Sequence, residues 1–286
     1  MKLVGLMPVR NEEWCLGLTL RAALLWCDEV VVLNHASTDQ SEHIIREVIN
    51  ENPTRVYFGE CKTSDWEEMR HRQMLLEGAR LCDATHIAIV DADEILTGNL
   101  LYPTSIVFNA LEGQILQLPG YNLRGGIDKY HSSGIWGNRW FSTAFRDDPR
   151  LSWGGDRFHH REPCGMPLAP YQPVAQHQGG VMHLWGASER RLRAKSALYK
   201  LTERIRWPEK HIPAIDGMYS WAIHGRPGDT PKEWQYRAVP AEWWAPYSHL
   251  MQHLHVDAEP WQEAECRRIV SEHPEITAGL DLFGVV

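Results

Sequence analysis

The sequence predicts an α/β fold: a mostly parallel sheet flanked by helices, followed by an irregular helical C-terminal region. Three observations carry this. Over residues 1–96, short β-branched runs alternate with segments of helical periodicity at the spacing of βαβ units. The run Ile87-Ala88-Ile89-Val90 is apolar at every position, as in a strand buried on both faces, and stops abruptly on Asp91, Asp93 and Glu94. Beyond Trp207, prolines interrupt the chain and the alternation is lost. The expected division is a sheet domain over residues 1–187 and an appended region over 188–286.

Residues 3–7 form the first strand, broken by Pro8-Val9-Arg10-Asn11. Asn11 is placed to cap a helix over 12–26 with Leu16, Leu20, Ala23 and Leu24 as its buried stripe. The second strand, 29–33, ends in the polar turn Asn34-His35-Ala36-Ser37-Thr38-Asp39. Asp39 or Ser41 starts the next helix, which turns Ile44, Ile45 and Val48 to the sheet. A third strand follows over 55–58, and Asp65 is expected to cap a helix over 66–81 leading into the strand at His86. Later elements are a helix at 105–111, strands at 115–118 and 141–145, and a second strand-to-loop stop at 153–160. A short strand at 181–184, a helix over 188–206 with Leu198, Leu201 and Ile205 inward, and a helix over 261–272 complete the reading.

The 286 residues suffice for a substantial core, and a formal net charge of −8 disfavours a general binder of nucleic acid or anionic membrane. No apolar stretch approaches eighteen residues and the N-terminus runs straight into a strand pattern, so a soluble, cytoplasmic protein without integral membrane contact is expected. The six cysteines are scattered with no C-x-x-C pair, which argues against a zinc site or disulfide framework. Ten of the thirteen tryptophans lie from Trp136 onward, a skew that suggests flat, half-polar surfaces for sugars or bases.

Asp91 and Asp93 close a strand where ligands of open α/β sheets bind, outside the carboxyl ends. Their side chains point the same way, and carboxylates roughly 5 Å apart repel by about 3 kcal/mol at an effective dielectric near 20. A cation between them relieves this. Mg²⁺ or Mn²⁺ carrying a substrate phosphate suits the site, because a hard ion prefers one or two carboxylates plus phosphate oxygens.

In order along the chain stand Val9-Arg10-Asn11-Glu12-Glu13, the turn 34–39, Arg72-Gln73 and Ile89-Val90-Asp91-Ala92-Asp93-Glu94. This series resembles the inverting family-2 glycosyltransferases of the GT-A (Rossmann-like) fold, whose forms are V-x-N-E-E, D-N-G-S-T-D, R-N and L-D-A-D-E. Phe145-Arg146 through Gly155 and His159 resembles the family's F-R…G-x-x-H-E stretch, and His183 with residues 192–200 its H-Y…R-S…K stretch. The likeness covers residues 1–200. Three departures stand out: Asn34 replaces an acid that contacts the base, Gln73 replaces Asn, and His160 stands where Glu follows His.

The resemblance implies a metal-dependent transfer of sugar from a nucleotide-sugar, with UDP the expected nucleotide, to an acceptor hydroxyl with inversion. Pro8 and Arg10 would line the base pocket, Glu12 would join the donor-binding set, Asn34 would bond the base, and Arg72 would sit near base or diphosphate. Asp91 would hold ribose or metal, and Asp93 and His183 the Mn²⁺ or Mg²⁺. Inversion needs one general base near the acceptor. Asp156, beside Gly154-Gly155, is the first choice, with His159, His160 and Glu162 as competitors. A saccharide is the expected acceptor. Residues 188–210 hold eight Lys and Arg against three Glu, a basic patch that raises the alternative of a hydroxymethylated base in viral DNA. A nucleotidyltransferase ranks lower, lacking an early glycine-rich loop with lysine, as does a non-catalytic carbohydrate-binding protein.

Overall fold

The computed structural model describes residues 1–101, 105–226 and 231–286. Its elements are β1 (Leu3–Val9), α1 (Glu13–Ala23), β2 (Glu29–His35), α2 (Ser41–Glu51), β3 (Val56–Cys61), α3 (Glu68–Leu81), β4 (His86–Ile89), β5 (Glu94–Leu96), α4 (Ser105–Phe108), β6 (Gln114–Asn122) and β7 (Lys129–His131). They continue with β8 (Arg139–Arg146), β9 (Ala169–Tyr171), β10 (Val181–His183), α5 (Glu189–Arg206), α6 (Ile212–His224), β11 (Tyr236–Ala238), α7 (Ala241–Trp244) and α8 (Trp261–Glu272). The chain forms two compact units. One comprises Met1–Gly120, Arg139–His183 and Pro240–His255, the other Tyr121–Asn138, Leu184–Val239 and Val256–Val286. A single cut after residue 187 differs from this, because residues 121–138 and 240–255 cross over.

The first unit holds a sheet of order β3-β2-β1-β4-β8-β6-β10-β5, with β9 on β6. β3, β2, β1 and β4 run parallel, as the βαβ alternation predicts. From β8 onward the pairings β4–β8, β6–β8 and β10–β5 are antiparallel. Among the described residues between β4 and β8 no helix is longer than the four residues of α4, short of the crossover a parallel neighbour usually needs, and after β8 only the three-residue β9 pairs in parallel, with β6. The run from His86 to Leu96 is therefore not one strand. β4 stops at Ile89 in the sheet centre, the acids make a tight turn (Glu94 N–H to Asp91 O, 3.0 Å), and β5 pairs with β10 at the sheet edge.

Helix α3 covers one face, packing Met69, Leu75, Leu76 and Ala79 on Val4, Leu6, Val31, Leu33, Ile87 and Ile89. It starts at Glu68 without the expected Asp65 cap. Helix α1 is buried nearly all round, since the 3₁₀ segment Ala245–His253 covers its far side. A Cβ on Gly17 would lie 2.9 Å from His253, and Tyr247 Oη donates to Leu96 O at 2.6 Å, fastening the segment to β5. Residues 153–160 form no strand: Trp153 sits in the core against Phe145 and the rest is loop.

In the second unit, α5 and α8 pack through Ala197, Leu198, Leu201, Cys266 and Ile269. Ile205, expected inward, is 44 % exposed. Helix α6 is not anticipated by the sequence because Pro213 reads as a breaker; it lies in the first turn, where a missing N–H costs nothing. Part of the basic charge of residues 188–210 is paired inside this unit. Arg190 pairs with Glu263 and Glu259, Lys210 with Glu203, and the fully buried Lys200 with Asp216 at 2.7 Å. Arg191 donates to Ala258 O at 2.9 Å. Three of the eight basic residues of 188–210 thus meet a carboxylate within this unit. Among the described residues, no helix is long and apolar enough to cross a membrane.

Candidate active site

The loops after β1 and β2 lock each other. Asn11, at a left-handed φ of 54°, accepts the Thr38 and Asp39 N–H groups on Oδ1 at 2.7 and 3.3 Å. Asp39 Oδ2 takes the Glu13 N–H at 3.0 Å, Ser41 Oγ the Glu12 N–H at 2.9 Å, and Glu13 in turn accepts from Gln40 N–H. Asn11 therefore does not cap α1. The start of α1 has its open N–H groups met by the other loop, a cross-strand arrangement invisible to a rule that searches for a cap within one segment, while α2 also keeps a local cap, Asp39 Oδ1 accepting the Ser41 N–H at 2.9 Å.

The acidic turn is held from three sides. Thr19 Oγ1 and Cys15 Sγ, both on α1, donate to Ala92 O at 2.7 and 3.3 Å. Arg72 of α3 reaches Asp91 Oδ1 at 3.2 Å and Glu68 at 3.2 Å. Arg161 reaches Asp91 Oδ2 at 3.0 Å and both oxygens of Glu94 at 2.7 Å. Burial opposes charge on Asp91, but Arg72 and Arg161 more than offset it and hold its carboxyl below the ordinary range. Sequence reasoning missed Arg161. The available signal is charge balance: three acids in four residues need cations, and a metal alone leaves them short.

His183, at the end of β10, comes within 3.4 Å of Asp93 through Nε2 and Oδ1. Gly180 sets this strand: its N–H donates to Thr97 Oγ1 at 2.9 Å, and a Cβ there would lie 1.9 Å from Pro119 O. Adjacent ligands about 2.1 Å from one small divalent ion lie roughly 3 Å apart, so Asp93 and His183 suit a shared cation. Asp91, expected as a further ligand, has each oxygen on an arginine. Among the described residues no group of three or more His, Cys, Asp or Glu is arranged for a metal. Phosphate and water oxygens would complete the shell, as is usual for Mg²⁺.

Residues 153–162, which carry the proposed bases, are pinned at three points. Trp153 N–H donates to Gln73 Oε1 at 2.9 Å, so the glutamine in the family's asparagine position anchors this segment. His159 N–H donates to Glu68 Oε2 at 2.8 Å, and Arg161 clamps the acidic turn. Asp156 lies exposed between the first two anchors. His159, also exposed, has a left-handed φ of 57°; His160 Nε2 lies 3.7 Å from Cys164 Sγ, and Glu162 is bonded to Ser142 and Gln117.

At the other expected positions, Pro8 and Arg10 are half-buried and Arg10 Nη1 donates to Ser64 O at 2.6 Å. Glu12 accepts from Trp14 Nε1 at 2.6 Å, within its own helix start. Asn34, expected to bond the base, is buried and its Oδ1 accepts the Ser37 N–H of its own turn at 3.3 Å. Beside Arg10, the His35 and His71 rings pack at a tilt of 48° with centroids 4.1 Å apart. Burial pushes each imidazole down to about 4, helped by the neighbouring His71 and then Arg10 at His35, and by Arg70 and then Arg10 at His71.

Both rings are thus neutral in the fold, while an unfolded imidazole takes its proton near 6.5. The unfolded state then binds more protons below that value, so stability falls as the pH drops from about 6.5 to about 4, by up to about 3 kcal/mol per ring. Urea melts across this window should show the decline, and His71→Gln should flatten it. An unchanged slope in that variant would remove His71 from the account.

Among solved structures, S. aureus TarS 1-349 is 13 % identical over 96 % of this chain and 89 % of that one, with a TM-score of 0.44. The Pyrobaculum calidifontis mannosyltransferase PcManGT, in complex with GDP-Man and Mn²⁺, is 13 % identical over 96 % and 75 %, with a TM-score of 0.47. Glucosyl-3-phosphoglycerate synthase from Mycobacterium tuberculosis, in complex with Mg²⁺ and UDP, is 16 % identical over 42 % and 43 %, with a TM-score of 0.27. No curated protein matches the chain. The family described as Glycosyl transferase family 2 matches residues 6–153, just over half the sequence, from the first strand through the acidic turn to the first anchor of the 153–162 loop. The chain belongs to glycosyl transferase family 2 and is a glycosyltransferase of the GT-A fold.

Proposed function

We propose that the protein transfers a sugar from a UDP-linked donor to the hydroxyl of a saccharide with inversion, using Mn²⁺ or Mg²⁺. The observation that carries this is the pairing of Asp93 with His183 at 3.4 Å, beside a carboxylate already held by two arginines. A bound divalent ion supplies positive charge to the departing diphosphate. Arg72 adds charge on the same side, and Pro8, Arg10, Glu12 and Asn34 border the nucleoside. Asp91 contributes by holding Arg72 and Arg161 in place. Asp156 takes the acceptor hydroxyl proton as that oxygen bonds to the anomeric carbon and the bond to diphosphate breaks on the opposite face. His159 and His160 are the alternative bases.

The test is a thermal-shift series with UDP, GDP and their sugars, with and without Mn²⁺. A ligand at a hundred times its dissociation constant adds about 2.7 kcal/mol of stability. UDP should stabilise the protein only when Mn²⁺ is present. Equal stabilisation without metal would reject the metal requirement, and a response confined to GDP would reject the uridine assignment.

A further inference from the structure

Arg161 makes more contacts than a surface cation needs. Nη1 donates to Asp91 Oδ2 (3.0 Å) and Glu94 Oε1 (2.7 Å), Nη2 to Glu94 Oε2 (2.7 Å) and Ile89 O (2.7 Å), and Nε to Ser142 O (2.5 Å). A guanidinium has five N–H donors in a fixed fork, and these are five acceptors. The side chain is 17 % exposed, and that of Glu94 only 4 %. Two of the three acids in the turn are thereby neutralised by residues from elsewhere in the chain, Asp91 by Arg72 and Arg161 and Glu94 by Arg161. Asp93 contacts the His183 imidazole.

We infer that Arg161 is a positioning residue that withholds Asp91 and Glu94 from the divalent cation, so that the protein offers the ion only Asp93 and His183. The inference rests on the metal reading above and extends it. A site with one carboxylate and one imidazole binds a hard ion weakly, and the missing oxygens come from the donor diphosphate. Arg161 thus makes metal affinity conditional on nucleotide. Without Arg161, Asp91 and Glu94 lie in the same turn as Asp93, and the ion gains carboxylates of its own. Arg161 also ends the 153–162 loop, so the clamp that guards the turn sets the position of the segment carrying Asp156.

The experiment measures Mn²⁺ binding by the loss of the free-ion paramagnetic resonance signal, with and without UDP. The paired variant Arg161→Met with Glu94→Gln removes one charge of each sign, leaving net charge unchanged while releasing Asp91 from one of its two arginines. It should bind Mn²⁺ without UDP at least tenfold more tightly than the native protein. Unchanged or weaker binding in the folded variant, checked by circular dichroism, overturns the inference. Asp91→Asn decides independently, including where the paired variant does not fold. Since Asp91 is not a ligand, Mn²⁺ affinity with UDP present should stay within about fivefold of native, and a loss beyond tenfold overturns the proposal. Asp93→Asn separates this from the underlying reading: retained Mn²⁺ binding there would sink the metal site itself, whereas loss in both Asp93→Asn and Asp91→Asn would sink only the role of Arg161.

Discussion

Replacing Asp93 by asparagine is expected to lower transfer about a thousandfold, about 4 kcal/mol of transition-state stabilisation. Asp93 is 6 % exposed and meets His183 at 3.4 Å, so the isosteric amide preserves packing while removing the charge that a cation needs. The loss should come with loss of Mn²⁺-dependent UDP binding, because metal and diphosphate enter one coordination shell. Steady-state transfer at saturating metal, together with UDP titrations with and without Mn²⁺, checks both. A variant that keeps its metal-dependent UDP affinity but loses turnover would mean that Asp93 acts on the sugar instead of the ion. Full activity would exclude Asp93 from the site altogether.

Asp156→Asn should give a different profile. A general base contributes roughly 10²- to 10⁴-fold, all of it in the chemical step. Turnover should fall by that factor while donor affinity stays near native, since the anchors at Trp153, His159 and Arg161 do not involve the Asp156 side chain. The pH profile of kcat/KM should lose its acidic limb with Asp156 gone. Near-native turnover would pass the role to His159 or His160, and His160→Gln and His159→Gln would then be compared in the same assay. A proportional loss in donor affinity would instead mark Asp156 as part of the loop's structure.

The parallel half of the sheet was legible because each strand there is an apolar run followed by a helix of matching length, and both periodicities are local properties. The acidic turn was legible for the same reason: an apolar strand ending on carboxylates marks its own carboxyl end. The antiparallel half was harder, since β5, β9 and β10 are three residues each and owe their existence to pairing partners far along the chain. The caps show the same limit. Asn11 and Asp39 were visible as capping residues, but Asn11 serves the neighbouring loop, and Asp39 serves both its own helix start and that of α1, an arrangement made by the β1–β2 register.

By itself, the sequence determined the family, the βαβ half of the sheet and the place of Asp91 and Asp93 at a strand end. These follow from short-range pattern and the order of motifs. Only the tertiary structure decided how the charges are shared. Arg161 lies 70 positions beyond Asp91, inside a loop that no periodicity describes, yet it satisfies two of the three acids. The basic helix carries the converse lesson, with Arg190 and Lys200 meeting acids from α6, α8 and the segment before α8. Electrostatic pairing depends on separation in space, and a linear chain records only separation along itself.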